Sequence, residues 1–365
     1  MVSTLRRYVE HESPSGSPEA IAALVSIIAA DFAALSPRIR LHKLPGLGPA
    51  LQIDFTAARR APRILLLGHT DTVYPLGTLR AMPWREHGPR LYGPGTFDMK
   101  GGIVQALFAL RALLARAPLP CSLTLLFVPD EEIGSPGSHP LTRRLALASS
   151  AVLVLEPAAP DGACKTARKG IARYTLRVSG HATHAGLDFE HGASAIVEAA
   201  HQVLAISALS RPDRGLTLNP GLISGGSRSN VVAAHAEVAV DMRFRTAAQG
   251  ARADRALHRL RPRDPRCSLH WQGGVERPPF ERSPQTLRLY RIAVHAADQL
   301  GFALAEASVG GASDGNLTAS LGIPTLDGLG AVGGHAHAPH EFILARQMPR
   351  RAALLAQLIE SLATI

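Results

Sequence analysis

The 365-residue chain is short of several things, and each scarcity narrows the field. Cysteine occurs only at Cys121, Cys164 and Cys267, an odd number without paired spacing. That excludes a disulfide framework or a thiolate zinc site and leaves small buried packing as the expected role. No apolar run reaches the roughly 18 residues that span a bilayer, so no membrane partner is expected. Met1 to Pro14 carries Arg6, Arg7, Glu10, His11 and Glu12 where a secretory leader would need an apolar stretch, so a cytoplasmic location is the expectation. Acids are fewer than bases, giving a net charge of +10. The arginines are spread along the chain rather than gathered in a stripe, which argues against a nucleic-acid partner. Lysine stands only at 43, 100, 165 and 169. Three of these lie inside candidate functional motifs, which suggests that Lys100, Lys165 and Lys169 do something arginine does not.

What is present is ordinary for a globular chain: 46% hydrophobic and 19% charged residues, with enough length for two domains. Periodicity predicts a helix over about Pro18–Leu35, extended segments at Ala50–Phe55 and Arg63–Leu67, and an apolar helix over Gly101–Arg116. Two further buried strands are expected at Ser122–Val128 and Ala151–Leu155. Strands alternating with helices argue for an α/β sandwich around a largely parallel sheet. After Gly170 the pattern changes. Strands at 171–178, 216–223, 237–244 and 267–271, with helices at 193–209 and 247–260, read β-α-β-β-α-β, the ferredoxin-like split unit. From about Arg277 the α/β style returns, with a helix at 285–300, a strand near 323–326 and a helix at 347–363. A small domain, 171–276, is therefore expected inside a larger one built from 1–170 and 277–365.

The chemistry gathers where the buried strands end. Arg63–Leu67 runs into Gly68-His69-Thr70-Asp71, with Asp71 placed to hold the second nitrogen of His69. Gly93-Pro94-Gly95-Thr96-Phe97-Asp98 opens the next helix, where Asp98 is either an N-cap or a carboxylate aimed into a site. Ser122–Val128 ends in Asp130-Glu131-Glu132, and Ala151–Leu155 delivers Glu156. Acids clustered beside strands this apolar are costly unless something neutralises them. His335-Ala336-His337-Ala338-Pro339-His340-Glu341-Phe342 lies near the end of the chain. In an open α/β sheet such ends converge at one edge. Two histidines and three carboxylates suit zinc, and one bridging carboxylate could hold two ions.

These motifs, in this order and spacing, resemble the M20 family of metallopeptidases over nearly the whole chain, with carboxypeptidase G2-like (glutamate carboxypeptidase) members nearest in pattern. The resemblance implies an α/β, mixed-sheet zinc-peptidase catalytic domain with an inserted ferredoxin-like lid or dimerisation domain. It implies two zinc ions per subunit, with cobalt or manganese as substitutes. His69 and Glu156 would hold one ion, Glu132 and His337 the other, and Asp98 would bridge both. Asp71 would orient His69, a cis peptide would follow Asp98, and Glu131 would be the general base. A metal-bound glutamate is a poor proton shuttle, so adjacent glutamates naturally divide these roles.

In the inserted domain, His181-Ala182-Thr183-His184-Ala185-Gly186 implies His184 as the oxyanion donor, reaching the partner subunit's site in a homodimer. Asn230 and Arg243 match positions of substrate contact, since a guanidinium grips a carboxylate in two places. Gly311 and Ser313, in Gly310-Gly311-Ala312-Ser313-Asp314, would hold the same carboxylate. Lys165 to Gly170 falls at the hinge. His340 departs from the family's usual acid or asparagine, and the pattern favours His337 over His335 and His340 as ligand. The implied reaction is amide cleavage beside a free carboxylate: a carboxypeptidase releasing a glutamate-type residue, or alternatively an N-acyl amino acid deacylase. A non-catalytic binding protein on this fold would usually have lost its base or a ligand first, and this chain retains them all. Selecting a glutamate side chain would need a further cation, for which Arg228, Arg277, Lys165 and Arg168 are candidates.

Overall fold

The computed structural model describes residues 1–57 and 61–363. The described residues divide into two compact units: Met1–Ala167 with Arg282–Val309 and Ser313–Ile365, and Arg168–Glu281 with Gly310–Ala312. The first division falls inside the Lys165–Gly170 segment.

In the first unit, strands β1 (Arg38–Leu44), β2 (Gly48–Phe55), β3 (Arg63–His69), β4 (Ser122–Val128) and β5 (Ala151–Val154) join the short strand Thr325–Leu326 in one sheet. Its order is β1-β2-β4-β3-β5 followed by Thr325–Leu326. The β4, β3, β5 and Thr325–Leu326 neighbours are parallel. The β1/β2 and β2/β4 pairs are antiparallel. The sheet is therefore mixed, as the family resemblance implies, with a parallel run of four strands beside two antiparallel pairs. Both antiparallel pairs involve β2; β1, with its alternating Arg-Ile-Arg-Leu-His stretch, is an addition to the expected strands. The helices Val2–Val9 and His139–Leu147 are likewise additions to the expected set, because their charges mask a narrow apolar face (Leu5, Tyr8 and Val9 in the former).

Side chains of β3 alternate between two apolar layers, as a pleated strand demands. Ile64 and Leu66 join a large core with residues of the helices Pro18–Ala33, Gly101–Arg116, Pro284–Gln299 and Gln347–Leu362. Leu65 and Leu67 join Leu141 and Ala146 on the other face. A leucine buried this way contributes about 1.5–3 kcal/mol, so the strand is held firmly in register. That register sets the position of the strand ends: His69 lies opposite Val128, and Leu67 opposite Val154. The parallel strands thus finish together, and the residues just beyond them emerge at one edge.

The second unit is a four-stranded antiparallel sheet in the order Thr217–Gly225, His235–Phe244, Gly170–Ser179, Ser268–Arg277. With the helices Ala195–Ser207 and Ala247–His258 it has the predicted β-α-β-β-α-β succession. Gly170–Ser179 alternates buried and exposed residues, and both helices pack on its buried face through Ala199, Ile206, Ala253 and Leu257. The last strand runs to Arg277, well beyond the expected 271. Gly273 and Gly274 interrupt its apolar pattern, but the pairing with Tyr174 and Arg173 continues through them. All three cysteines are buried and free. Among the described residues no helix is long and apolar enough to cross a membrane.

Candidate metal centre

Five side chains from five segments of the first unit meet in two overlapping groups, His69–Asp98–Glu156 and Asp98–Glu132–His337. Within each group the ligand-type atoms lie within 4.8 Å of one another. Three of the side chains come from the ends of β3, β4 and β5: His69 is the last residue of β3, and Glu132 and Glu156 follow β4 and β5. Asp98 arrives on the turn Thr96–Lys100, ahead of the helix Gly101–Arg116, so it lies in the turn and does not cap that helix. The Asp98–Met99 peptide is cis. Gly102 lets this helix start beside the Glu156 segment, since a Cβ there would stand 2.2 Å from the Leu155 carbonyl oxygen. His337 sits in the left-handed region with φ of 63°, on the loop between the short strands Gly333–Gly334 and Phe342–Leu344.

Asp98 is the shared member. Its Oδ1 lies 3.1 Å from His69 Nε2, and its Oδ2 3.4 Å from His337 Nε2. Glu156 Oε1 completes the first group at 3.4 Å from His69 Nε2, and Glu132 Oε1 the second at 3.2 Å from His337 Nε2. His69 Nδ1 is 3.0 Å from the Asp71 carbonyl oxygen and 3.4 Å from its carboxylate. A proton on Nδ1 therefore has an acceptor, which turns the Nε2 lone pair toward two carboxylates. Acceptors facing acceptors in a buried place need a cation between them, either protons or metal. Left to protons alone, the carboxylates of Asp98 and Glu132 push His337 up to about 10. Burial opposes charge on His69, yet Asp71, Asp98 and Glu156 hold its pKa well above the ordinary value. Burial favours the neutral form of Asp98 too, but His337 and His69 drive it far below the carboxylate range. Burial raises Glu132. Two imidazoles and three carboxylates, one of them offering an oxygen to each side, form a donor set that fits two divalent ions.

Glu131 belongs to neither group. Its backbone N–H donates to Asp71 Oδ1 and that of Glu132 to Asp71 Oδ2, both at 3.1 Å. Ser15 Oγ donates to Asp71 Oδ2 at 2.7 Å. Asp71 thus ties the His69 loop to the glutamate pair as well as backing His69. Ser15 has no role legible in the sequence; its only trace there is Ser-Pro-Ser-Gly beside a helix start. Glu341 belongs to the motif from which His337 is read, but nothing local in the sequence gives it a role of its own. It is fully buried, and its carboxylate accepts hydrogen bonds from the Gly95, Phe97 and Asp98 N–H groups and from the Tyr74 hydroxyl. His335 and His340 lie in neither group; their exposed rings stand 4.0 Å apart. Lys100 is buried, with Nζ donating to the His11 carbonyl at 2.9 Å, and burial lowers its pKa to about 8.

Ser313, expected at the substrate carboxylate, is engaged within its own unit. It is wholly buried in the first unit, where its hydroxyl accepts from Gly315 N–H at 3.0 Å and donates to Asp327 at 2.6 Å. Its own N–H is taken by Asn316 Oδ1 at 3.0 Å. It caps the helix Asp314–Ser320 and has no group turned outward.

His184, Asn230, Arg243 and Gly311 belong to the second unit. The exposed His184 accepts the Gly186 N–H at Nδ1, 3.1 Å away, which places the proton of the neutral ring on Nε2, the outward donor. Asn230 is exposed, and its carbonyl accepts the Ala185 N–H. Arg243 holds Asp241 in two places, at 2.7 and 3.0 Å, so any other carboxylate must compete with that residue. The Gly311 carbonyl accepts from Arg168 Nη1 at 3.2 Å.

The family model for peptidase family M20/M25/M40 matches residues 65–361, which include all five residues of the two groups. The chain belongs to this family. Carboxypeptidase G2 of Pseudomonas sp. (strain RS-16) is 31% identical to this M20 peptidase over 99% of the chain and 89% of its own length. Acetylornithine deacetylase of Salmonella typhimurium is 30% identical, over 61% of each chain. Among solved structures, the aminopeptidase PepT of Bacillus cereus superimposes with a TM-score of 0.85 at 24% identity, covering 99% of this chain and 98% of its own. The Bacillus subtilis YXEP protein, described as a dinuclear metal binding peptidase from the M20 family, gives a TM-score of 0.74 at 16% identity, covering 100% and 97%. At these identities the two structures share the fold. The chain is an M20-family metallopeptidase, with a candidate metal site built from three strand ends, a turn and a loop.

Proposed function

We propose that this M20 peptidase is a di-zinc hydrolase that cleaves the amide bond next to a free carboxylate, as a carboxypeptidase releasing a C-terminal, glutamate-type amino acid. The observation that carries the reading is Asp98, one carboxylate with an oxygen toward each histidine. His69, Asp98 and Glu156 would hold one ion, and Asp98, Glu132 and His337 the other. Zinc bound there would act as a Lewis acid on the scissile carbonyl and lower the pKa of the attacking water.

The remaining work falls to the chain's own groups. Glu131 takes the proton of the attacking water and delivers it to the leaving nitrogen, while Asp71 holds His69 and the glutamate turn in place. His184, with its proton on Nε2, donates to the oxygen where negative charge develops. Arg243 receives the substrate carboxylate by exchanging it for Asp241, with Asn230 and Gly311 as further contacts. We assign the second unit as the lid and dimerisation element, with His184 serving the partner's site in a homodimer, and place the enzyme in the cytoplasm. The extended identity to carboxypeptidase G2 supports the carboxypeptidase reading. Similarity to acetylornithine deacetylase supports N-acyl amino acid deacylation as the second.

Both readings are tested by one screen: metal-stripped protein resupplied with zinc, cobalt or manganese, against N-acyl and peptidyl amino acids that vary in the residue beside the free carboxylate. Fastest turnover on C-terminal glutamate is expected. Loss of all activity towards substrates with a free carboxylate, with amidated substrates still cleaved, would overturn the proposal. His184→Ala is expected to lower kcat by about 10²–10³-fold without changing metal content. Depleted metal in that variant would make His184 a ligand instead.

A further inference from the structure

We infer that Glu341 is a positioning residue for the Asp98–Glu132–His337 half of the centre, fastening the Asp98 turn to the His337 loop; the inference rests on the two-metal reading. Between His335 and Glu341 only Glu341 is fully buried, while His335, Ala336, His337, Pro339 and His340 are exposed. Two residues of this loop, His335 and His337, hold left-handed backbone with φ of 62° and 63°, which side-chain-bearing residues adopt only when their surroundings enforce it. The Glu341 side chain supplies such an enforcement. Its Oε1 accepts the Phe97 N–H at 2.7 Å and the Asp98 N–H at 2.9 Å, and its Oε2 accepts the Gly95 N–H at 3.0 Å and the Tyr74 hydroxyl at 2.6 Å. All four donors come from other segments of the chain.

The chemistry of that cradle is specific. Three backbone N–H groups converging on one place make an anion-binding nest, and a carboxylate answers it with acceptors alone. Glutamine has the same shape but turns an amide NH2 toward these donors. Tyr74, three residues beyond Asp71, brings the His69 loop to the same anchor. His69 and Glu156, by contrast, issue from β3 and β5, which the sheet already aligns. Loss of the Glu341 charge reaches both half-sites through Asp98, but only the second also loses the placement of His337, so the two should weaken unequally.

The test is zinc titration of the metal-free full chain, by calorimetry and by competition with a chromophoric chelator, for wild type, Glu341→Gln, Glu341→Ala and Tyr74→Phe. Wild type is expected to take up two equivalents. In Glu341→Gln one equivalent should weaken by about 10–100-fold, the range for residues that orient metal ligands, while the other changes far less. Turnover of that variant should recover as free zinc is raised. Tyr74→Phe, which leaves the three N–H donors in place, should shift the same equivalent by a smaller factor. Circular dichroism of the metal-free proteins checks folding, and Glu341→Gln carries the test if Glu341→Ala does not fold. Equal weakening of both equivalents, or wild-type affinity in Glu341→Gln, overturns the inference. A wild type that binds a single ion overturns the two-metal reading instead, and Glu341 then stands or falls on whether that ion binds more weakly in Glu341→Gln.

Discussion

Glu131→Ala is expected to keep its full complement of metal and lose about 10²–10⁴-fold in kcat, the range for removal of a general acid–base group. The geometry behind this is a division between neighbours. Asp71 accepts the N–H groups of Glu131 and Glu132 on separate oxygens, which fixes both backbones in one short turn. From that turn Glu132 reaches His337 at 3.2 Å, whereas Glu131 takes part in neither ligand group. Truncating residue 131 therefore removes none of the five ligand side chains and takes away the group assigned to move protons. Glu131→Gln is the matching isosteric variant and should behave alike. Steady-state kinetics paired with elemental analysis of the same preparations decides the matter. If metal leaves in step with activity, the two glutamates have exchanged roles.

Asp98→Asn is expected to have the largest effect on metal content of any single substitution, taking bound divalent ion from two per chain to one or fewer and abolishing measurable turnover. Each of the other ligands serves one group, but Asp98 serves both through its two oxygens. An asparagine keeps one carbonyl oxygen and presents NH2 donors where the second oxygen stood, so one half-site loses its anionic ligand outright. The surviving half-site would have a charge balance less favourable to a divalent ion. His69→Ala or His337→Ala should each remove mainly one ion. Metal analysis after exhaustive dialysis, with thermal unfolding as a control for folding, separates these cases. Two ions retained at wild-type affinity in Asp98→Asn would show that the shared carboxylate is not a bridge.

The legible and the illegible parts of this chain divide along a physical line. Apolar runs ending in His69, in Glu131-Glu132 and in Glu156 can be read because parallel strands buried on both faces have a continuous apolar pattern, and the residues after them must leave the sheet at one edge. The β-α-β-β-α-β unit can be read because its two central strands, Gly170–Ser179 and His235–Phe244, alternate with period two. β1 alternates polar and apolar residues over 38–42, but five residues do not encode which partner the strand pairs with. Ser15 and Glu341 escape because their bonds join residues 56 and 243 to 267 positions apart, and no local pattern encodes such partners.

By itself, the sequence determined which chemical groups exist and which local segments carry them: two histidines, three carboxylates and a spare glutamate at strand ends, in a turn and in a loop, with a split αβ unit between them. Tertiary structure alone decided how they are used. It divided the two oxygens of Asp98 between two imidazoles, gave Asp71 the backbone of both glutamates, sank Ser313 beneath its helix, and set Asp241 against Arg243. Side-chain identity is a local property of the chain, whereas the direction of a lone pair or a proton is fixed only when distant segments pack together.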